Sequence, residues 1–422
     1  MTEQRVIEHQ ISRISDAKLV ELFSLGELYM SDFVEDGAKP VAVPLTLMLD
    51  EKSGLVQLKH TAPFDSMYRN YWYRSGMNRT MTDELQGIAQ KALELVEYSK
   101  EDVALDIGCN DGTLLKFYEK ELYTVGFDPA SNLEQYSRKF ADKIVIDYFT
   151  ADNYFRYMTR KAKIVTSIAM FYDLEDPHKF VSDIESVLDK DGLWIVQMSY
   201  LPLMLKQHAV DNCCHEHIEY YTLSSFKYLI KKHNLRIVDV ELNDINGGSF
   251  RIYVRKNSSR NETFATAPYR DVAEFRVHSL LEYERRLNLR YPGTYIRWFK
   301  ELLDIRKQTV DFIRTEVSKG KTIWAYGAST KGNTTLQWYG LDASLITAIA
   351  ERNPDKFGKR TVGTNIPIVS EDEMRKAKPD YLLILPWHFI SEFRSREEEY
   401  LKAGGKFIVP LPKFSVIGYG GT

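Results

Sequence analysis

Two stretches of this chain share one design. Each is an apolar run of strand length that ends in a glycine-containing turn and opens into a helix-like segment. An acidic residue then stands at the end of the next apolar run. In the first, Leu105-Asp106-Ile107-Gly108-Cys109-Asn110-Asp111-Gly112 is followed by Asp128. In the second, Tyr326-Gly327-Ala328-Ser329-Thr330-Lys331-Gly332-Asn333 is followed by Glu351. A strand that turns into a helix and returns as a neighbouring strand builds a parallel sheet covered by helices, so both stretches are committed to α/β folds.

Around the first turn, strand-length runs at 103–107, 124–127, 144–146, 164–169, 193–198, 237–242 and 249–255 alternate with helical stretches. The last two, separated by NDINGG, suit an antiparallel pair at a sheet edge. Ahead of them, residues 83–98 carry the spacing of an amphipathic helix. Beyond them, the polar stretch KNSSRNETFATAP leads into EFRVHSLLEYERRL and WFKELLDIRKQTVDFIRTEV, two charged helices broken at Pro292-Gly293. Their charges are expected on solvated faces. The α/β pattern resumes at Lys321, with KTIWAYGAST, LITAIAE, PDYLLILPW and GGKFIVPLP as strands. The N-terminal stretch differs, with short apolar segments at 41–48 and 54–58 between turns.

A chain of 422 residues exceeds one ordinary domain. It divides into a β-containing N-terminal module (1–80), a first α/β domain (81–258), a helical linker (259–320) and a second, smaller α/β domain (321–422). Lys+Arg 56 against Asp+Glu 59 leaves a net charge of −3, so no overall basic field advertises nucleic acid or an anionic membrane. Three cysteines (Cys109, Cys213 and Cys214) cannot form a disulfide framework or a four-cysteine zinc site. No apolar run reaches the roughly 18–20 residues that span a bilayer. The first residues, MTEQRVIEHQISRISDAK, lack the apolar core of a signal peptide. A cytoplasmic protein without nucleic-acid or membrane partners is therefore expected.

Asp106, Gly108 and Gly112 give the spacing D-x-G-x-x-x-G, one glycine short of the dinucleotide fingerprint. Glycine lets backbone approach a ligand closely, and Asp128, twenty positions after Gly108, is placed to accept hydrogen bonds from a ribose. This favours a mononucleoside ligand such as S-adenosylmethionine over NAD. The second turn resembles a phosphate cradle, with hydroxyls and Lys331 near a helix N-terminus, although the Walker A order is missing. A tight turn without ligand is its other reading.

Cys213-Cys214-His215-Glu216-His217-Ile218-Glu219-Tyr220-Tyr221 packs two histidines among carboxylates and tyrosines. Histidine titrates nearest neutrality, so a general base is sought here first. Metal ligation and structural hydrogen bonding remain open. On a strand, His215 and His217 would share a face, but the helical H-E-x-x-H spacing and an evident third ligand are absent. Tyr68-Arg69-Asn70-Tyr71-Trp72-Tyr73-Arg74-Ser75-Gly76 reads as core, interface or site-lining tyrosines, and Asn246-Gly247-Gly248-Ser249 as a hairpin turn.

Six motifs in order, LDIGCNDG, SIAMFYDLEDP, CHEHIEYYTL, NDINGGSFRIYV, YGASTKGNT and AERNPDKFG, give the chain a resemblance to a known family. It resembles the sugar C-methyltransferases, which use S-adenosylmethionine to methylate C3 of nucleotide-linked 4-keto-6-deoxy sugars. The resemblance implies a small zinc-binding N-terminal module, a class I methyltransferase Rossmann-like domain and a C-terminal Rossmann-like domain contacting the nucleotide sugar. It implies that Asp106, Gly108, Asn110 and Gly112 surround the methionine part of the cofactor, that Asp128 binds its ribose, and that Tyr148 and Phe149 pack near adenine. By the same token His217 is the base, Glu216 orients or polarises it, and Tyr71 or Tyr73 reaches the sugar. Lys331 and Asn333 fall near the diphosphate, with Asn246 and Tyr221 as further substrate contacts. His215 or a tyrosine hydroxyl would hydrogen-bond the enolate oxygen formed when His217 takes a proton from carbon beside the ketone.

Two departures stand out. The family's zinc positions align with Ser12, Ser15, Asp50 and Ser53, a poor ligand set, so a metal-free module is expected. Cys214 stands where many relatives have a tyrosine before H-E-H. An O- or N-methyltransferase of another small molecule, or a non-catalytic nucleotide-sugar-binding protein, are the competing readings.

Overall fold

The buried run Val103–Ile107 lies at the centre of a seven-stranded sheet. The computed structural model describes residues 6–35, 41–63, 67–68, 71–118, 120–259 and 269–421. From one edge the strands run Lys143–Val145, Tyr123–Phe127, Val103–Ile107, Ala162–Ile168, Leu188–Ser199, Ser249–Lys256 and Leu235–Asn243. The first five pair in parallel. Ser249–Lys256 is antiparallel to both its neighbours, so the final hairpin slots its second strand inside the edge. The chain steps from Val103–Ile107 first to one side and later to the other. That reversal opens a crevice at the carboxyl end of the central strand, where α/β folds bind ligands.

The second sheet repeats the device. Its order is Ile368–Ser370, Ile349–Glu351, Ile323–Tyr326, Tyr381–Ile384, Lys406–Val409 and Ser415–Ile417, with a reversal at Ile323–Tyr326. All pairings are parallel except the last.

An antiparallel sheet of Glu219–Tyr220, Val56–Leu58, Ala42–Leu49 and Val20–Tyr29 builds the N-terminal part. The chain directly after His217 therefore ends in a strand of this sheet. Val20–Tyr29 is absent from the expected strands because irregularities at Glu21/Phe23 and Ser24/Glu27 break the period-two pattern. Its Phe23 ring stacks on Phe299 at 4.4 Å, which ties this sheet to helix Pro292–Ser318 and, through a shared apolar core, to the second α/β sheet.

The helix expected at 83–98 spans Arg79–Leu95 and is capped by Asn78, whose side chain accepts from Met81 N. The two charged helices are Tyr269–Arg286 and Pro292–Ser318, the second with Pro292 in its first turn, as a proline allows. One charge breaks the expectation of solvated faces. Glu284 is buried because it accepts from Leu223 N, Ser224 N and the Tyr200 hydroxyl, closing the start of helix Leu223–Ile230. Residues 260–268, most of the polar stretch before these helices, lie outside the described residues, as do Arg69 and Asn70 of the tyrosine-rich segment. No helix among the described residues is long and apolar enough to cross a membrane.

Candidate active site

One cavity of about 750 Å³ joins the carboxyl ends of both parallel sheets. At one end, the turn after Val103–Ile107 runs beneath it. Gly108 takes φ +73°, and a Cβ there would come within 3.0 Å of Met170, so the turn needs glycine. Asp128 closes this cradle by accepting from Asn110 N at 2.8 Å and Ala130 N at 2.8 Å. Burial raises its carboxyl, while those two N–H groups act the other way. Asp106 lies deeper. Burial pushes it up to about 7, and Thr166 Oγ1 donates to it at 2.6 Å. Tyr148 and Phe149 line the same end, with the Phe149 ring edge-on to Phe127.

This donor set suits S-adenosylmethionine. A carboxylate has about four acceptor sites, and Asp128 spends two on backbone, leaving two for a ribose diol. Phe127 and Phe149 supply apolar walls for a flat base. Two expected cofactor contacts differ from the resemblance. Gly112 is not on the cavity wall, and a Cβ there would sit 2.9 Å from Ser137 Cα, so it serves packing between turn and helix. Asn110 lines the cavity, but its side-chain amide is occupied. Its Oδ1 accepts from Ser75 N and its Nδ2 donates to the Tyr73 carbonyl, both at 3.0 Å.

Asn110 thereby anchors the tyrosine-rich segment, which bridges every part of the site. Asn132 exchanges two hydrogen bonds with the Tyr71 backbone, Trp72 Nε1 donates to Asp32, and Asn353 Nδ2 donates to the Trp72 carbonyl. Tyr68 donates to the Glu216 carbonyl at 2.9 Å. Both candidate tyrosines line the cavity but at different places. Burial and then Glu216 and Asp173 raise the Tyr71 hydroxyl, so it stays a donor facing those acids. Tyr73 is 43% exposed and sits towards Asp111 and Ser75 at the first cradle.

Residues 213–218 form a bend rather than a strand, and the two histidines part company. His215 turns away from the cavity to meet the Val43 carbonyl at 2.9 Å with Nε2, so it cannot serve an enolate. His217 lines the cavity. Its Nδ1 meets the Asn212 carbonyl at 3.1 Å, which assigns the proton to Nδ1 and leaves Nε2 with a lone pair. Burial, then the Lys331 charge, hold the ring well below the usual histidine range and hence neutral. Tyr172 packs on it with ring centroids 4.2 Å apart. Glu216 does not orient this ring. It is buried off the cavity wall with Oε2 unpartnered, and the Asn212 carbonyl does that work instead. Tyr221 is also off the wall, donating to Glu219 at 2.9 Å. No group of three or more His, Cys, Asp or Glu among the described residues could hold a metal ion.

At the far end, Gly327 takes φ +84°, and a Cβ there would lie 2.6 Å from Pro386. Ala328 N donates to Glu351 at 2.9 Å, and Ser329 caps helix Thr330–Tyr339. Lys331 leaves this turn and donates to Asn212 Oδ1 at 2.6 Å, which brings it beside His217 rather than along the cradle. Asn333 points out of the cavity, its Nδ2 donating to the Asp32 carbonyl. Asn246 is on the wall in a left-handed turn at φ +54°.

Asp173, Asp211 and Asn212 were invisible as site residues in the sequence, since they sit among ordinary polar and apolar neighbours with no spacing of their own. Asp173 and Asp211 line the cavity, and each has a buried, unpartnered Oδ1. Burial raises both carboxyls. The one signal for Asp173 was its place in the SIAMFYDLEDP motif, directly after strand Ala162–Ile168.

Comparison with known proteins bears on these features. Residues 73–240 match the model of a methyltransferase domain, and residues 244–412 match that of the C-methyltransferase C-terminal domain. The chain is 29% identical over 386 residues to the C-methyltransferase NovU of Streptomyces niveus, covering 91% of this chain and 90% of that protein. Among solved structures it is similar to a chain from the complex of the Haloferax volcanii Trm112 methyltransferase activator with a methyltransferase (16% identity, 43% of this chain and 93% of that one, TM-score 0.35). It is also similar to the plantazolicin methyltransferase BamL, solved with SAH (15% identity, 42% of this chain and 86% of that one, TM-score 0.33). A methyltransferase domain joined to the C-terminal domain of C-methyltransferases, in a chain that follows a C-methyltransferase almost end to end, makes this protein an S-adenosylmethionine-dependent C-methyltransferase.

Proposed function

We propose that the acceptor is C3 of a nucleotide-linked 4-keto-6-deoxy sugar and that His217 generates the attacking enolate. The observation that carries this reading is His217 itself. It is a neutral, buried imidazole with Nδ1 fixed on a carbonyl and Nε2 free, in a cavity that opens onto two nucleotide-type cradles. A C–H beside a ketone can be removed by such a base when the developing oxyanion is met by a donor. Bound S-adenosylmethionine would supply an electrophilic methyl group, held with its ribose on Asp128 and its adenine against Phe149. The second cradle, around Gly327 and Ser329, would hold the nucleotide portion of the acceptor and so set the distance of the sugar ring from His217. Tyr71, whose hydroxyl faces Asp173 and Glu216, is the better placed of the two tyrosines to reach the ring.

Incubation with the cofactor and a panel of nucleotide-linked 4-keto-6-deoxyhexoses, read by mass spectrometry and carbon NMR, tests this. One added methyl on carbon is expected, and methyl on oxygen or nitrogen would refute it. His217→Ala is expected to bind cofactor as the wild type does and to lose about 10²–10⁴-fold in turnover.

A further inference from the structure

We infer that Lys331, carried on the second α/β unit, is the cation that meets the enolate oxygen, and that Asn212 positions it together with His217. This rests on the enolate reading above. Asn212 is buried, and it works with two different groups: its carbonyl holds His217 Nδ1 at 3.1 Å and its side-chain Oδ1 holds Lys331 Nζ at 2.6 Å. Base and cation are thus fixed to one residue, on the wall of one cavity.

Lys331 has three N–H donors and Asn212 takes one of them. Among the described residues it makes no salt bridge, so its charge is not already neutralised by a fixed partner. Burial raises the Asp173, Asp211 and Glu216 carboxyls, and Lys331 acts against burial in each case. The same cation helps burial to hold His217 neutral, and burial with Lys331 pushes His388 down to about 3. A positive charge that keeps a base unprotonated also favours a negative charge formed next to that base.

Of the two donors expected for the oxyanion, His215 is turned to Val43 and a tyrosine hydroxyl such as Tyr71 carries no charge, so Lys331 is the cation assigned to it beside His217. The step balances as a proton transfer. The proton passes from carbon to His217 Nε2, the C–H electron pair becomes the carbon–carbon double bond, and the carbonyl pair moves to oxygen. Lys331 then donates a hydrogen bond to that oxygen. The opposing assignment, a Lys331 that anchors the substrate diphosphate, predicts a different kinetic signature, because a ground-state anchor governs KM and a transition-state contact governs kcat.

Lys331→Met and Asn212→Ala separate the two. The assays use S-adenosylmethionine and a nucleotide-linked 4-keto-6-deoxyhexose for turnover. S-adenosylhomocysteine in deuterated water is used to read exchange at the substrate carbon. Calorimetric cofactor binding checks the fold. Lys331→Met is expected to lower kcat and exchange by at least about 100-fold, with KM for the sugar nucleotide within about threefold of wild type. Asn212→Ala, which keeps the carbonyl to His217 and frees the amine, is expected to lower kcat by about tenfold at unchanged KM. A KM raised tenfold or more by Lys331→Met, with kcat and exchange within threefold, overturns the assignment. A wild type that neither exchanges nor methylates carbon overturns the enolate reading instead, and the role of Lys331 falls with it.

Discussion

The two glycine turns start alike and finish differently. In each, a turn N–H donates to the acid of the next strand, Asn110 N to Asp128 at 2.8 Å and Ala328 N to Glu351 at 2.9 Å. Asp128 takes one further N–H, from Ala130. Glu351 takes two more, from Arg352 and Asn353, and Lys356 Nζ stands 3.7 Å away. Lys356 also donates to the Ala328 carbonyl at 2.7 Å. The first acid keeps lone pairs for a ligand, whereas the second is largely consumed in holding its own turn. An acid at this spacing goes with the fold in both halves, and unspent hydrogen-bonding capacity is what favours Asp128 over Glu351 as the proposed ribose contact.

The largest effect that would sharpen this contrast is on cofactor binding. Asp128→Ala is expected to weaken S-adenosylmethionine by about 10–100-fold by calorimetry, the worth of a lost charged hydrogen-bond pair. Glu351→Ala is expected to leave cofactor affinity alone but to cost about 2–3 kcal/mol of stability, since three backbone donors lose their acceptor. Equal losses of affinity would erase the distinction.

Glycine substitutions give a smaller effect. Gly327→Ala drives a Cβ to 2.6 Å from a proline ring, whereas Gly108→Ala meets Met170 Cγ at 3.0 Å, a looser contact with an unbranched side chain. Both pay for positive φ, so the difference reports the neighbour. Gly327→Ala is expected to destabilise by about 1–3 kcal/mol more in denaturant unfolding.

The pH profile tests the base between the cradles. His217 must be neutral to accept a proton, and its pKa is depressed, so activity is retained as pH falls through the ordinary imidazole range near 6.5 and is lost only below it. The expected kcat/KM is flat between about pH 6.5 and 8. A limb centred near 6.5 or above would show a solvated histidine at work.

The smallest effect is expected in the N-terminal part. Ser12, Ser15, Asp50 and Ser53, the positions aligned with zinc ligands, converge in a buried knot. Ser15 and Ser53 hydroxyls donate to Asp50 Oδ2 at 2.8 and 2.5 Å. Burial pushes the Asp50 carboxyl up, but the serine hydrogen bonds outweigh it and hold the group below its usual range. Chelator treatment is expected to leave Tm unchanged. A fall of several degrees, or stoichiometric zinc by metal analysis, would contradict a knot held by hydrogen bonds.

The central strands were legible because apolar runs bounded by glycine and polar turns are a local signal, and all seven appear where the runs predict them. Val20–Tyr29 was not, because its bulges and Gly26 at φ +91° scramble the alternation. Turn geometry was legible where a motif carries it, as at Gly108 and Asp128. The orientation of His215 was not legible, because the segment bends and turns this ring to the Val43 carbonyl, away from the cavity. Asn212 could not be read at all. Its importance lies in holding two groups far apart in the chain, and no local pattern encodes that.

The most direct test of the account is hydrogen exchange at the acceptor carbon. The wild type, given a nucleotide-linked 4-keto-6-deoxyhexose and S-adenosylhomocysteine in deuterated water, is expected to place one deuterium at C3. His217→Ala is expected to place none above the uncatalysed rate. Exchange that survives in His217→Ala would contradict His217 as the base, and a wild type that methylates the sugar on oxygen without exchange would contradict carbon-acid chemistry.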